Sequence, residues 1–294
     1  MNLITRLDFD GLLSAAMIHD MESIAEISFS TPQALEDGGL LDILAVGDVV
    51  AHLPFHPDAG MWFHNHDVAH IGADKLKKVR GKYGVAPSTA RQVYSFYNSP
   101  KLKNYEALVT VADRLGSATL TEDDILNPKG WVMVSYTLDP RFSDDYAYGM
   151  SILTAMKGGK SPDEILALPQ VARRVDLFKR DEERYQQELK AHTMLHGNVI
   201  ITDFRKVERA PRGNRFYVFT QFPKGNVHIR LDDAAGNQVR VAVGKSILNR
   251  TCKVNVGKLM EEYGGGGMEG AGTCFIGRKT SDEKVTEIVG KLQG

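Results

Sequence analysis

Two aspartates close the first apolar segment of the chain, in Asp8-Phe9-Asp10-Gly11. An acidic pair where a strand ends and a helix begins is poorly suited to packing and well suited to holding a divalent cation. Met1 to Leu7 is short and mostly apolar, Gly11 permits a tight turn, and Leu12, Leu13, Ala16 and Met17 recur at helical spacing. The pattern predicts strand, acidic turn, helix. Asp48, His64, His66 and Asp113 also fall at the ends of apolar segments in the first half. In a parallel sheet, the carboxyl ends of strands gather at one edge, where ligands bind. Carboxylates with imidazoles there suit Mn²⁺ or Mg²⁺. Five of the nine histidines lie between His52 and His70. His52 and His56, close to Pro54 and Pro57, read as loop residues, and His70 as a surface histidine.

A second candidate region lies near the C-terminus. Gly264 to Gly267, followed by Met268, Glu269, Gly270, Ala271 and Gly272, lets backbone N–H groups approach an anion. Gly265, Gly266 and Gly267 are the candidates there. No Lys-Ser or Lys-Thr follows, which excludes a Walker loop. A flexible turn explains the run equally well. Asn249, Arg250 and Arg230 add donors that suit a phosphate.

These residues need a frame. The first half alternates strand-like and helix-like segments. Ile24 to Phe29, Ile43 to Val46 and Met61 to Phe63 read as strands; Lys75 to Tyr83 and Thr89 to Tyr97 read as helices; Ala107 to Ala112 fits either. Alternation predicts a mostly parallel sheet flanked by helices. The charged stretch Pro169 to His192 carries Val171, Val175, Phe178, Tyr185 and Leu189 on one helical face. Beyond it, Val199 to Phe204, Arg215 to Phe222, Val227 to Leu231 and Val239 to Val243 read as strands, with a turn at Ala235-Gly236-Asn237. The expected architecture is α/β, with domains at 1–168 and 197–294 joined by a helical linker at 169–196. The second is smaller, with a mixed sheet.

Composition sets bounds. The 294 residues are 43% hydrophobic and 25% charged, ordinary for a soluble chain. Residues 1–196 carry 20 Lys and Arg against 27 Asp and Glu, a balance of −7; the remainder carry 16 against 10, a balance of +6. An acidic half and a basic half fit a metal site facing an anion-binding surface, or simply two solvated surfaces. No apolar run is long enough to span a bilayer, and no secretion-signal pattern opens the sequence. Two widely spaced cysteines, Cys252 and Cys274, do not make a disulfide framework and read as buried thiols, so the expected location is the cytoplasm.

Taken together, these regions resemble the DHH phosphoesterase family with its C-terminal substrate-binding (DHHA1) domain. Ile4 to Ser14 matches the first motif, Asp48 the second, Val111-Ala112-Asp113-Arg114 the fourth, and Gly265 to Gly272 the C-terminal signature. The naming motif, Asp-His-His, stands here as His64-Asn65-His66, and Met268 replaces the usual histidine after the glycines. The resemblance implies one or two ions of Mn²⁺ or Mg²⁺ held by Asp8, Asp10, Asp48 and Asp113, with Asp48 bridging, His64 as an added ligand, and His66 and the glycine loop on the phosphate. It implies hydrolysis of a phosphoanhydride or phosphodiester in a cleft between domains. Polyphosphate, a nucleotide phosphate or another phosphorylated small molecule, and short single-stranded nucleic acid are the implied partners. No membrane is implied, and a homodimer is left open. The alternative, motivated by Asn65 and Met268, is a family member that binds a phosphorylated ligand without turnover. Nucleic-acid processing is a third reading, although no aromatic-basic interleaving stands out.

Overall fold

The computed structural model describes residues 1–32, 34, 44–138 and 146–293. Ile43, where the second expected apolar strand begins, lies outside them. The chain divides into two compact units, Met1–Thr119 with Pro128–Asp176, and Leu120–Asn127 with Leu177–Gly294.

The first unit is built on strands of three residues each: β1 (Leu3–Thr5), β2 (Ile27–Phe29), β3 (Val49–Ala51), β4 (Met61–Phe63) and β5 (Arg80–Lys82). They form a wholly parallel sheet in the order β2-β1-β3-β4-β5. The central strands β1, β3 and β4 are buried on both faces, as parallel sheets require. Leu3, Val49, Ala51, Met61 and Phe63 face helix α1 (Phe9–Met21) and helix α2 (Thr89–Tyr97). Ile4, Val50 and Trp62 face the opposite cluster with Leu53 and Tyr83. Helix α1 is buried from Phe9 to Ile18, so apolar residues surround it rather than lining one stripe. Helix α3 (Glu106–Gly116) settles the ambiguous Ala107–Ala112 as helical, and helix α4 (Tyr146–Lys157) packs on α1.

Two elements differ from expectation. Lys75 to Tyr83 holds only a single helical turn, Ala73–Leu76, before strand β5. Gly81 breaks the helical pattern there: its φ is +132°, and a Cβ on it would stand 2.1 Å from the Trp62 carbonyl oxygen. Arg215 to Phe222 is not a strand but contains helix α6 (Tyr217–Gln221), after the long helix α5 (Pro169–His192). Val218 and Phe219 are buried there, a pattern that fits strand and helix alike in so short a run.

The second unit carries β6 (Thr193–His196), β7 (Val199–Asp203), β8 (Val227–Ala234), β9 (Gln238–Lys245), β10 (Gly266–Met268) and β11 (Ala271–Gly277), ordered β10-β11-β9-β8-β7-β6. The β7–β8 pair is parallel and the others antiparallel, so the sheet is mixed. Helices α7 (Val256–Glu261) and α8 (Ser281–Gln293) complete it. Cys252 and Cys274 are buried free thiols. Among the described residues no helix is long and apolar enough to cross a membrane.

Candidate metal and phosphate site at the carboxyl edge of the parallel sheet

Strand order decides which side chains meet. β1 and β3 are neighbours although β2 lies between them in sequence, so the connections diverge between them. Such a switch point opens a crevice at the carboxyl edge. Asp8 and Asp10 follow β1, His52 follows β3, and His64-Asn65-His66 follows β4.

Asp8 caps α1, its Oδ1 accepting from the Gly11 amide at 2.9 Å. Gly11 is required by close approach: a Cβ there would stand 2.2 Å from the Arg6 carbonyl oxygen. Asp8 Oδ2 lies 3.2 Å from Arg6 Nε and 3.3 Å from His52 Nε2. Asp10 is buried inside the first turn of α1 and accepts from the amides of Thr89 at 2.8 Å and Ala90 at 2.7 Å, the N-terminus of α2. A helix N-terminus favours such a carboxylate.

His52 is the central residue of the cluster. Its backbone is left-handed, at φ +56°, an uncommon conformation for a residue with a Cβ. That conformation sends the imidazole between the two carboxylates, with Nε2 toward Asp8 and Nδ1 3.3 Å from Asp10 Oδ2. Burial alone would lower the His52 pKa, but the Asp8 and Asp10 charges outweigh it and push it up to about 9. Burial would raise Asp8, yet His52 and Arg6 together hold it well below the usual carboxylate range. Burial raises Asp10, outweighing His52 and the two amides, with the Asp8 charge adding to the rise. His52, read from sequence as a loop residue, is thus the charge partner of both aspartates. The signal that marks it is the apolar triplet Val49-Val50-Ala51 directly before it.

His64 stacks on Trp62 with centroids 5.2 Å apart and meets His66 edge-on at 5.1 Å. Burial lowers the His64 pKa to about 3, so its imidazole is neutral. Its buried Nδ1 has no hydrogen-bond partner. His66 is exposed, and burial of part of its ring, followed by the charges of His52 and Arg6, lowers its pKa. Asn65 is buried and its Oδ1 accepts from Thr89 Oγ1 at 2.9 Å.

The remaining expected ligands stand elsewhere. Asp48 precedes β3, at the opposite edge of the sheet from Asp8 and Asp10, and is not brought to them. The expectation of a bridging Asp48 is corrected: the three residues of β3 lie between it and His52, four steps of the strand or roughly 13 Å from Cα to Cα. Its carboxylate accepts from the Asn2 amide at 2.7 Å and the Ala45 amide at 3.0 Å. Asp113, on α3, accepts from Ser88 Oγ at 2.7 Å and from Arg91 Nε at 2.9 Å. Ser88 caps α2, so Asp113 braces the helix terminus that holds Asp10.

In the second unit, Arg230 donates to Asp232 at 2.8 to 3.0 Å and to the Pro211 carbonyl at 3.0 Å, and lies over the Phe204 ring. Arg230, Ala242, Thr273 and Gly266 share one row across the sheet. Three strand spacings, roughly 14 Å, therefore separate Arg230 from the glycine loop. Asn249 Nδ2 lies 3.4 Å from the Pro223 and Lys224 carbonyls, and Arg250 Nε 3.1 Å from that of Ile247. Packing accounts for Gly265 and Gly267: a Cβ on Gly265 would stand 2.1 Å from the Thr273 carbonyl, and Gly267 has φ +156°. At Gly266 an added Cβ would meet open space.

Compared with solved structures, the chain is similar over 99% of its length, and 98% of the other's, to the pGpG-specific phosphodiesterase PggH of Vibrio cholerae, with 28% identity and a TM-score of 0.81. Its fold is that of the DHH phosphoesterases. Two more distant likenesses show the same fold. One is the DHH domain of a protein described as a member of a family of ribosomal proteins, at 14% identity and TM-score 0.50, covering 99% of this chain and 86% of that one. The other is RecJ of Thermus thermophilus in complex with Mn²⁺, at 10% identity and TM-score 0.51, covering 95% of this chain and 50% of that one. No protein-family profile and no curated protein matches the chain.

A DHH fold raises the question of a divalent ion, and the donor set answers it. Two carboxylates and two imidazoles are donors that Mn²⁺ accepts. Two donors at right angles about 2.1 Å from an octahedral ion lie ~3 Å apart, close to the 3.3 Å between Asp8 Oδ2 and His52 Nε2. The unpartnered His64 Nδ1 is a further donor without other use. As placed, no group of three or more His, Cys, Asp or Glu side chains among the described residues could hold a metal ion. By donor chemistry alone Asp8, Asp10 and His52 suit one ion, whereas the carboxylates of Asp48 and Asp113 are taken up by amide, hydroxyl and guanidinium donors.

Proposed function

We propose that the chain is a divalent-metal-dependent phosphodiesterase that cleaves short 5′-phosphorylated oligonucleotides, a linear dinucleotide such as pGpG foremost. The observation that carries this reading is the Asp8–His52–Asp10 cluster at the sheet's switch point, in a chain similar throughout its length to a pGpG-specific phosphodiesterase. Asp8, Asp10 and His52 would hold one ion, with His64 as a fourth donor. When bound, the ion would lower the pKa of water and neutralise charge on the phosphate.

The chain's own residues supply the rest. Arg6, paired with Asp8 and one-third exposed, offers a fixed cation beside the phosphate. His66, held neutral beside His52 and Arg6, donates a hydrogen bond to a phosphate oxygen without adding charge. The α2 N-terminus keeps Asp10 aimed at the centre whatever occupies it. The test is a panel of pGpG, GpG, pyrophosphate and polyphosphate with purified protein and Mn²⁺. Preferential release of GMP from pGpG supports the reading, and absence of turnover on every member overturns it.

A second reading, ligand binding without hydrolysis, draws on Asp113, whose carboxylate is engaged by Arg91 and Ser88 rather than turned to an ion. Tight pGpG binding in the presence of Mn²⁺ with no GMP formed would favour it.

A further inference from the structure

The family motif loses a histidine at Asn65, yet Asn65 is neither exposed nor idle. It is 5% exposed, and it begins a chain of hydrogen bonds that ends on His52. Its Nδ2 is turned toward the Ala86 carbonyl, a long contact at 3.5 Å, which leaves Oδ1 as the acceptor facing Thr89. Thr89 Oγ1 donates its single proton to that Oδ1 at 2.9 Å. Having spent its proton, the Thr89 hydroxyl meets His52 Nδ1, 2.8 Å away, only as an acceptor. His52 Nδ1 must then bear a proton, and when Nε2 gives up its own to an ion the ring is left as the Nδ1–H tautomer. Thr89 is fully buried, so no water competes for the hydroxyl.

We propose that Asn65 and Thr89 are positioning residues that lock His52 in the Nδ1–H tautomer, so that its Nε2 is the nitrogen offered to a divalent ion beside Asp8. The inference rests on the reading of this edge as a metal site and adds which atom of which residue takes the place left by Asp48. It makes two departures from the family pattern one device. The strand-end position after β3 holds an imidazole, and Asn65, the altered residue after β4, fixes its proton through Thr89. A histidine ligand generally needs such a partner on its other nitrogen, and removing one costs roughly 10- to 100-fold in metal affinity. Thr89 serves twice: its amide holds Asp10 while its hydroxyl orients His52, so one residue aligns two donors.

The experiment uses the whole chain labelled with nitrogen-15 histidine and loaded with Zn²⁺ as a diamagnetic ion, without substrate. His52 is assigned by its loss in His52→Gln. The expected spectrum shows a protonated Nδ1 and a metal-shifted Nε2 for His52. Asn65→Leu should scramble that tautomer and weaken Mn²⁺ binding by roughly 10- to 100-fold in calorimetry. Asn65→Asp, which keeps an acceptor for the hydroxyl, should restore both. If Asn65→Leu does not fold, Thr89→Val against Thr89→Ser gives the same contrast. A loaded wild-type protein whose His52 carries its proton on Nε2, or shows no metal shift, overturns the proposal. So does a folded Asn65→Leu with unchanged tautomer and affinity. Because no substrate is used, failure of the hydrolysis panel leaves this result standing, and turnover with an unshifted His52 defeats only this proposal.

Discussion

The Asp10 carboxylate accepts a hydrogen bond of 2.7 Å from the amide of Ala90, a residue 80 positions away in sequence. The contact ties the acidic turn after β1 to the N-terminus of α2 and makes Asp10 a structural as well as a chemical residue. Asp10→Asn leaves one of the two amides, Thr89 or Ala90, facing an amide nitrogen. It should cost ~1–3 kcal/mol in urea unfolding and abolish measurable Mn²⁺ binding. Wild-type stability in this variant would show that the amides do not depend on the carboxylate.

Asp113 and Asp8 should separate. Asp8→Ala removes a donor and is expected to eliminate Mn²⁺ binding. Asp113→Ala removes the brace on Ser88 and Arg91 and should weaken binding without eliminating it, while lowering stability by ~1 kcal/mol, modest because the Arg91 pair is partly exposed. Calorimetry on both variants checks the order, and equal loss in the two would place Asp113 among the ligands.

Asp48→Asn tests the register of β3. The structure puts Asp48 at the amino edge, where it holds the Asn2 and Ala45 amides. The variant should keep Mn²⁺ affinity and GMP release within about twofold while losing ~1 kcal/mol of stability. Loss of the ion would restore Asp48 to the centre.

Stability should also carry a signature of buried neutral histidine. Burial, followed by the charge of Arg230, pushes the His228 pKa down to about 3 from 6.5, and its Nε2 lies 2.8 Å from Thr202 Oγ1. The unfolded chain takes up a proton below pH 6.5 that the folded chain refuses. This contribution to stability is therefore full above pH 6.5 and falls as pH drops toward 3. His64, lowered to about 3 by its burial, acts in the same direction. Urea midpoints measured from pH 7.5 to 4 should decline in the wild type and decline less in His228→Gln. Equal slopes would assign the acid sensitivity elsewhere.

Sequence and structure agree where the signal is local. Asp8-Phe9-Asp10-Gly11 is legible because a cap, a helix and a close-approach glycine follow one another within a few residues. His64 and His66 are legible because Met61-Trp62-Phe63 is an apolar block. Asp48 misleads because the apolar run Ile43 to Val46 reads as the strand that it closes, whereas the strand is the three-residue Val49–Ala51 that it precedes. The same shortness hides His52. Arg230 reads as a free donor from sequence, but its partner Asp232 is a strand neighbour whose pairing depends on the side-chain arrangement on β8. Asn65 reads as a lost ligand because its partner Thr89 is 24 residues away.

The most direct test of the central claim is GMP release from pGpG by wild type and Asp8→Asn, each with and without Mn²⁺. Turnover that requires Mn²⁺ and falls at least about a thousandfold in Asp8→Asn is the expected result, as for loss of a group that positions the reacting centre. Turnover by Asp8→Asn at the wild-type rate, or none by wild type at any Mn²⁺ concentration, would contradict the account.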